Sequence, residues 1–590
     1  MTGVIAKCGP AAHMTVAGMP ERGDEPLLMR NMASTGSATP LGGRQQPLPG
    51  AAFAAEDLVH IIAYIRHPLL VLRHDSTRHL GLATAASMPG ASSSVSVLGT
   101  LPPMYPEWLG DRTFCESHGV RFPYLCGSMA NGIATPELVV AMGKAGMLGF
   151  FGAGGLSYHN VDRALSIVEE GLSRTRGVAW GANLIHSPNE ASLENRLAEL
   201  YISRDVRKVE ASAFMRITPA IVHYAVRGLA TDPAGHIVRK NSVFAKVSRP
   251  EVARQFMAPA PPAIVAALLE SGKITAREAE LARVVAVAED ITVEADSGGH
   301  TDNRALPALF PEIVALRDQL ATQYRLPRPV RVGAAGGLGT PLSVAGAFAM
   351  GAAYVMTGSV NQACVESGLS AQGRKLLASV GVADVMMAPA ADMFELGVNL
   401  QVLKRGSMFG PRARKLYELY VTKSGLDEIV GDQRTELEKI LCQSVAEVWS
   451  ETEQFWRSRD PAVLDLAARN PKQQMALVFR WYLGKSSRWA IDGVANRTLD
   501  YQIWCGPAMG AFNSWVRDSF LEPPEQREVV QVALNLLEGA ARIIRAQQAR
   551  ACGLPMPAQA FNYKPRRLSV EETAAVSAPP QARKGIGQYV

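Results

Sequence analysis

The run Asp290-Ile291-Thr292-Val293-Glu294-Ala295-Asp296-Ser297-Gly298-Gly299-His300 offers the clearest chemistry in this chain. An imidazole titrates near neutral pH, so it can hand over a proton or hold an oxyanion. Asp296, Ser297 and Asp302 stand close to it in sequence. A histidine that caps a helix or satisfies a buried polar group would look the same in isolation. What favours chemistry is the setting: a β-branched, apolar strand delivers His300 onto a glycine-permissive turn.

Two similar units follow, Val330-Arg331-Val332-Gly333-Ala334-Ala335-Gly336-Gly337-Leu338-Gly339 and Ala353-Tyr354-Val355-Met356-Thr357-Gly358-Ser359. At Gly336-Gly337 and Gly358-Ser359 backbone N–H groups can converge, and the dipole of the following helix adds positive charge. Either turn alone would be an ordinary strand-to-helix connection. Both at consecutive strand ends point to the phosphate of a cofactor, with His300 beside it.

Three further positions could meet that cofactor. The small-residue turn Gly127-Ser128-Met129-Ala130-Asn131-Gly132 would let backbone amides approach a flat ring, with Met129 as a soft contact. An ordinary loop would read the same way. Asn183 and Lys246 interrupt apolar strands, and burying either without a partner is costly. Each should therefore face a ligand, another polar group or solvent. The basic stretch Leu403–Lys415 could meet a phosphate-bearing arm or an acidic protein, or form a solvated helix face.

Such groups need a scaffold, and between Arg121 and about Ala363 the chain alternates strand and helix patterns. Candidate strands are Phe122–Cys126, Met147–Phe151, Val178–Leu184, Lys208–Ser212, Ser242–Val247, Ile291–Ala295, Val330–Gly333 and Tyr354–Thr357. Helical patterns follow most of them, and eight such units predict an α/β fold, a (β/α)8 barrel whose strand C-termini carry the site. The barrel is expected over 111–384, with a helical insertion at 259–289 (Ala263–Ser271 and Thr275–Ala288) placed to cap its mouth. A small region precedes it at 53–110, joined through a Ser-rich connector, Ala91–Ser96. A mainly helical region follows at 385–560. The ends, 1–52 and 561–590, are Pro-, Ala- and Gly-rich and are expected to be disordered.

At 590 residues and 47% hydrophobic composition the chain has ample material for a large core. A net charge of +6 without a polybasic run argues against nucleic-acid binding. The seven cysteines lack CxxC spacing, so neither a zinc site nor a disulfide framework follows and a reducing compartment fits. No apolar run is long enough for a membrane span, and the N-terminus lacks a secretory layout. The expectation is a cytoplasmic protein, and a homodimer is compatible with it.

These motifs together resemble the flavin-dependent barrels of the nitronate monooxygenase and flavin-type enoyl-ACP reductase superfamily. They are most similar to the PfaD-type enoyl reductases that act in trans with polyunsaturated fatty acid and polyketide synthases. The residues that carry the resemblance are Leu98–Gly110, Gly127–Ala134, Ala295–Thr301, Ala334–Ser359 and Asp500–Gly510. It spans about residues 95 to 555. The superfamily often has Ala-Gly-Gly-His where this chain has Asp296-Ser297-Gly298-Gly299-His300. The resemblance implies FMN, with its phosphate at Gly336, Gly337, Gly358 and Ser359 and its ring near Gly127, Ser128, Met129 and Asn183, with Lys246 beside it. It implies NADPH as reductant, an enoyl thioester on an acyl carrier protein as substrate, and His300 as the catalytic residue. A nitronate monooxygenase-like flavin oxygenase and a non-catalytic assembly module of a synthase are the competing readings.

Overall fold

In the computed structural model, residues 50–85, 94–175, 177–186 and 190–570 are described. Eight parallel strands close a barrel: β1 (Tyr124–Cys126), β2 (Leu148–Phe151), β3 (Gly181–Ile185), β4 (Lys208–Ser212), β5 (Ser242–Val247), β6 (Asp290–Glu294), β7 (Arg331–Ala335) and β8 (Val355–Thr357). Each lies within a few residues of a strand expected from sequence. Strands this short and apolar, with helices on the outside, are buried on both faces and have no edge once the barrel closes.

The N-terminal end of the barrel is plugged. Phe114, from the helix Arg112–His118, stacks on Tyr354 with ring centroids 4.5 Å apart and meets Phe244 edge-on. Beside these rings the fully buried Asp290 accepts from Arg331 Nε at 2.7 Å and pairs with His118 Nε2 at 2.8 Å. Burial alone would raise the Asp290 carboxyl, but His118 and Arg331 outweigh it and hold it at about 2. This cluster belongs to stability, because chemistry in such barrels sits at the opposite end.

The eighth barrel helix comes from far downstream. After β8 there is a short helical turn, Ser359–Gln362, and then a long excursion. The helix Val529–Ala551 returns to pack between the helix after β7 (Pro341–Ala349) and the helix after β1 (Pro136–Lys144). Gly539 permits the approach, since a Cβ there would meet the Pro341 ring at 2.7 Å. The expected barrel boundary at 384 is therefore corrected: the helical region is inserted ahead of the barrel's last helix rather than appended. The small N-terminal region, the helix Ala55–Ile61 and a three-stranded antiparallel sheet, packs on that helix. Arg545 donates to the Ile65 carbonyl at 2.8 Å, and Arg66 pairs with Glu538.

Other boundaries change for local reasons. The insertion contains the helices Pro262–Glu270 and Ala276–Leu281, the second shorter than expected. It ends early because the Val287 and Ala288 amides turn back to the Ala258 and Phe256 carbonyls. Glu278 accepts from the Gly228 amide at 2.6 Å, just past the helix Pro219–Val226, and β6 starts soon after. The pair thus lies at the N-terminal end of the strands and does not cap the mouth. Ser94 to Ser96 lead into and form the strand Val95–Leu101, not a free connector, and residues 91–93 lie outside the described residues. Most of the expected disordered segments, 1–49 and 571–590, also fall outside them. Ala52, however, bridges to Leu82, and residues 561–570 are packed: Tyr563 donates to Asn535 at 3.0 Å and Leu568 is buried. The region 385–560 is mainly helical but includes Val385–Pro389 and Asn399–Leu403, which form a sheet with Gly299-His300.

Candidate functional site

Polar side chains converge at the C-terminal ends of β1, β3, β4, β5 and β6. Glu210, on β4 and fully buried, is their hub. One of its carboxylate oxygens accepts from the Ser128 hydroxyl at 2.6 Å and the other from the Ser128 amide at 3.0 Å. Ser212 donates to the same carboxylate at 3.2 Å, and the Asn183 amide donates to the Glu210 carbonyl and to Ser212, each at 3.0 Å. Lys246 Nζ lies 3.6 Å from Glu210 and 3.0 Å from Glu294. Burial works against the Lys246 ammonium, but Glu294 and Glu210 outweigh it and keep it charged well above the usual lysine range.

The structure thus brings Ser128, Asn183 and Lys246 together as expected and adds two carboxylates that carried no assigned role. A glutamate inside the apolar strand Lys208–Ser212 was the available signal, equivalent to the lysine noticed in β5. Lys246 thus faces other polar groups, one of the surroundings expected for it. Its charge is committed to carboxylates, so the floor of the mouth holds one ammonium against two carboxylates rather than a free cation. Met129 is buried at the edge of the site and packs within the main apolar core. Gly127 allows β1 and β8 to approach, because a Cβ there would meet Met356 at 2.8 Å.

His300 sits at the rim on the short strand Gly299-His300, paired antiparallel with Leu400 of the inserted region. Gly299 takes a left-handed φ of 82°, and a Cβ on Gly298 would strike the Cys505 backbone at 2.6 Å. Both glycines are therefore required by geometry. The partner of His300 is Asp392, with Nε2 3.2 Å from its carboxylate in an ionic contact rather than an aligned hydrogen bond. Burial would lower the imidazole's pKa, but Asp392 and the more distant Glu294 outweigh it and hold it above the ordinary value. The neighbours in sequence point elsewhere. Asp296 accepts from Gln401 at 2.7 Å, Asp302 pairs with Arg249 at 2.8 Å, and Ser297 donates to Glu294 at 3.4 Å. Asp392, some ninety residues away, had no signal in the sequence.

The glycine turns after β7 and β8 differ in what surrounds them. Gly336, with φ of 83°, is packed against the Ala295 backbone, whereas a Cβ on Gly337 or Gly358 would meet nothing within 4 Å. Open space therefore lies over those two positions, and the first N–H groups of the turn at Ser359 have no intrahelical partner. The Ser359 hydroxyl accepts from the Gly506 amide at 3.1 Å and keeps its own proton for donation. This donor set suits a phosphate. The segment around Trp504–Ala508 roofs the corner: Gly339 leaves room for the Ala508 carbonyl, which an added Cβ would meet at 2.1 Å. Asn131, beyond β1, donates to Ser487 at 3.4 Å. The cover over the mouth is thus the inserted helical region. The basic stretch beneath it is largely spoken for, with Arg412 paired to Asp500, Lys415 to Glu436 and Arg405 to Asp384.

This barrel, with its rim histidine and roofed glycine corner, agrees with what comparison with known proteins finds. A family model described as nitronate monooxygenase matches residues 113–409. The chain belongs to the nitronate monooxygenase family. Its likeness to the enoyl reductase domain of MlnA, from the macrolactin biosynthesis cluster of Bacillus amyloliquefaciens, has a TM-score of 0.72 at 35% identity. That match covers 75% of this chain and 99% of that domain. Among curated relatives it is 46% identical over 468 residues to a polyunsaturated fatty acid synthase component of Thraustochytrium sp., covering 78% of this chain. It is 42% identical over 439 residues to the polyketide biosynthesis protein PksE of Bacillus subtilis, covering 74% of this chain. The chain spans 31% and 57% of the lengths of those two relatives. Residues 423–501 match a second model, the inserted helical domain of acyl-carrier-protein S-malonyltransferase. The resemblance seen in the sequence is borne out at the level of the family, and residues of the cover match a helical module described in an acyltransferase. Among the described residues, no helix is long and apolar enough to cross a membrane.

Proposed function

We propose that this protein is a trans-acting, FMN-dependent enoyl reductase that uses NADPH to reduce the 2,3-double bond of enoyl thioesters carried on acyl carrier protein domains. The reading is supported chiefly by one observation, the correspondence with an enoyl reductase domain over 99% of that domain's length. Partnership with a polyketide or polyunsaturated fatty acid synthase is supported by the names of the curated relatives.

Gly336, Gly337, Gly358 and Ser359 would hold the FMN phosphate, and Gly127, Ser128, Met129, Asn183 and Lys246 would border its ring. A bound flavin supplies two-electron transfer from a nicotinamide to a conjugated double bond. The chain's own residues would position the thioester and handle the proton. Reduction leaves the substrate's α-carbon in need of a proton, and His300 is the rim residue able to carry one. Asp392 would orient that imidazole and favour its charged form. The Glu210–Lys246–Glu294 cluster fixes the side chains beneath and preorganises the floor of the mouth.

The deciding experiment is anaerobic reduction of the flavin-loaded protein by NADPH, followed by mixing with a 2-enoyl thioester. Reoxidation by the thioester is expected. A flavin that stays reduced until oxygen is admitted would overturn the proposal, and NADPH-independent oxygen uptake with small nitronates would replace it with an oxygenase.

A further inference from the structure

A second polar site lies on the same rim, at the ends of β3 and β4, and none of the chemistry above uses it. His186 follows β3 directly, and its amide donates to the Ser212 carbonyl at 3.0 Å, fixing it to the end of β4. Its ring stacks on Phe214 with centroids 5.2 Å apart. The side chain is 6% exposed and its Nδ1 lies 2.9 Å from Glu194. Because a carboxylate can only accept, Nδ1 donates to it, and Nε2 has no partner among the described residues. The other Glu194 oxygen accepts from the Thr218 hydroxyl. The His186 ring borders a cavity of about 310 Å³ that Arg216, Thr218 and Asn195 also line.

The cavity has the marks of an anion site. Arg216 is exposed on its wall and has no acidic partner among the described residues. Ala213 takes a left-handed φ of 60° at the head of the loop that presents it. Non-glycine residues rarely adopt that conformation without a reason in the surrounding structure. The helix Ala191–Ser203 opens on the cavity without a side-chain cap. Among the described residues Glu194 is the one carboxylate on this wall, and His186 and Thr218 engage its two oxygens. Nearby, Arg459 of the inserted region pairs with Glu190 at 2.7 Å, so the site opens where the helical cover meets the barrel.

We propose that this cavity is a phosphate-ester subsite in which Arg216 and the Nε2 of His186 face the phosphate of a ligand entering the mouth. A guanidinium beside an imidazole suits phosphate recognition, and Arg216 lies four residues beyond Ser212 of the central cluster. The proposal draws on the enoyl reductase reading only for its two sources of such a phosphate, the 2′-phosphate of NADPH and the phosphopantetheine arm of a carrier.

The test is calorimetric titration of the full flavin-loaded chain and its Arg216→Ala variant with two matched pairs of probes. One pair is adenosine 2′,5′-bisphosphate against adenosine 5′-monophosphate, and the other is 4′-phosphopantetheine against pantetheine. In the unmodified protein the phosphorylated member of one pair should bind at least about 10-fold tighter, and the exposed Arg216→Ala change should abolish that ratio. The pair affected identifies the source. Equal binding within both pairs, or a ratio that survives the substitution, would overturn the subsite. Binding is read without turnover, so failure of the enoyl reductase reading would leave this result intact.

Discussion

Lys246 Nζ stands 3.0 Å from the Glu294 carboxylate, and its second contact, Glu210 at 3.6 Å, joins the ends of β5, β6 and β4 through one charge. Removing that charge leaves two carboxylates facing each other in a buried setting. Lys246→Met is therefore expected to cost about 3–5 kcal/mol in urea unfolding. The raised lysine pKa sets the sign with pH. The pair's contribution is complete below the ordinary lysine value and is lost only as pH climbs through the higher folded value. A loss below about 1 kcal/mol would mean that water or rearrangement satisfies the carboxylates.

The plug at the other end gives the opposite pH dependence. Asp290 is held at about 2 by His118 and Arg331. A depressed carboxylate stabilises the fold above its unfolded value, about 3.9, and the gain disappears as pH falls through the folded value. Asp290→Asn should be destabilised by about 3–5 kcal/mol at pH 7, and the gap to the unmodified protein should narrow toward pH 2. Unfolding midpoints of both proteins across that range measure it. A gap that stays constant with pH would assign the loss to packing instead.

The eight strands were legible because buried parallel strands are short apolar runs with glycine or polar punctuation. His300, Ser128, Asn183 and Lys246 were legible for the complementary reason, as polar groups in or beside such runs. Asp392 was not, and Gly506 stood out only as part of the Asp500–Gly510 stretch, without a place at the site. Each reaches the rim from the inserted region through tertiary contact, across a sequence separation that carries no periodic signal. The barrel's last helix was hidden in the same way: Val529–Ala551 reads as one more amphipathic helix, and only its packing against Pro341–Ala349 gives it a place. The helical pair at 262–281 misled because a helix inserted between strands can lie at either end of a barrel.

If the segment around Gly506 roofs the glycine corner, widening Gly339 should lift it. A Cβ at Gly339 would meet the Ala508 carbonyl at 2.1 Å, which backbone cannot accommodate without moving. Gly339→Ala should leave the far-ultraviolet circular dichroism of the barrel intact while accelerating proteolysis and amide exchange between residues 500 and 510. Gly358→Ala is the control, since its Cβ meets nothing within 4 Å. Equal protection of that segment in both variants would show that the roof does not depend on this contact.

The rim pair carries the most specific prediction about catalysis. Asp392 holds the His300 imidazole above its ordinary pKa against the effect of burial. His300→Ala should retain flavin and slow turnover of an enoyl thioester. Asp392→Asn should leave the imidazole in place but lower its pKa, so the limb of kcat/KM that falls as His300 deprotonates should move to lower pH. Loss of rate without a shift of that limb would make Asp392 a structural anchor for the Gly299-His300 strand. A limb that shifts while the rate below it is preserved is what a positioning residue produces. NMR titration of the His300 ring in both proteins reads the same displacement without turnover. Unchanged activity in His300→Ala would remove the proton from this residue altogether and assign it to water.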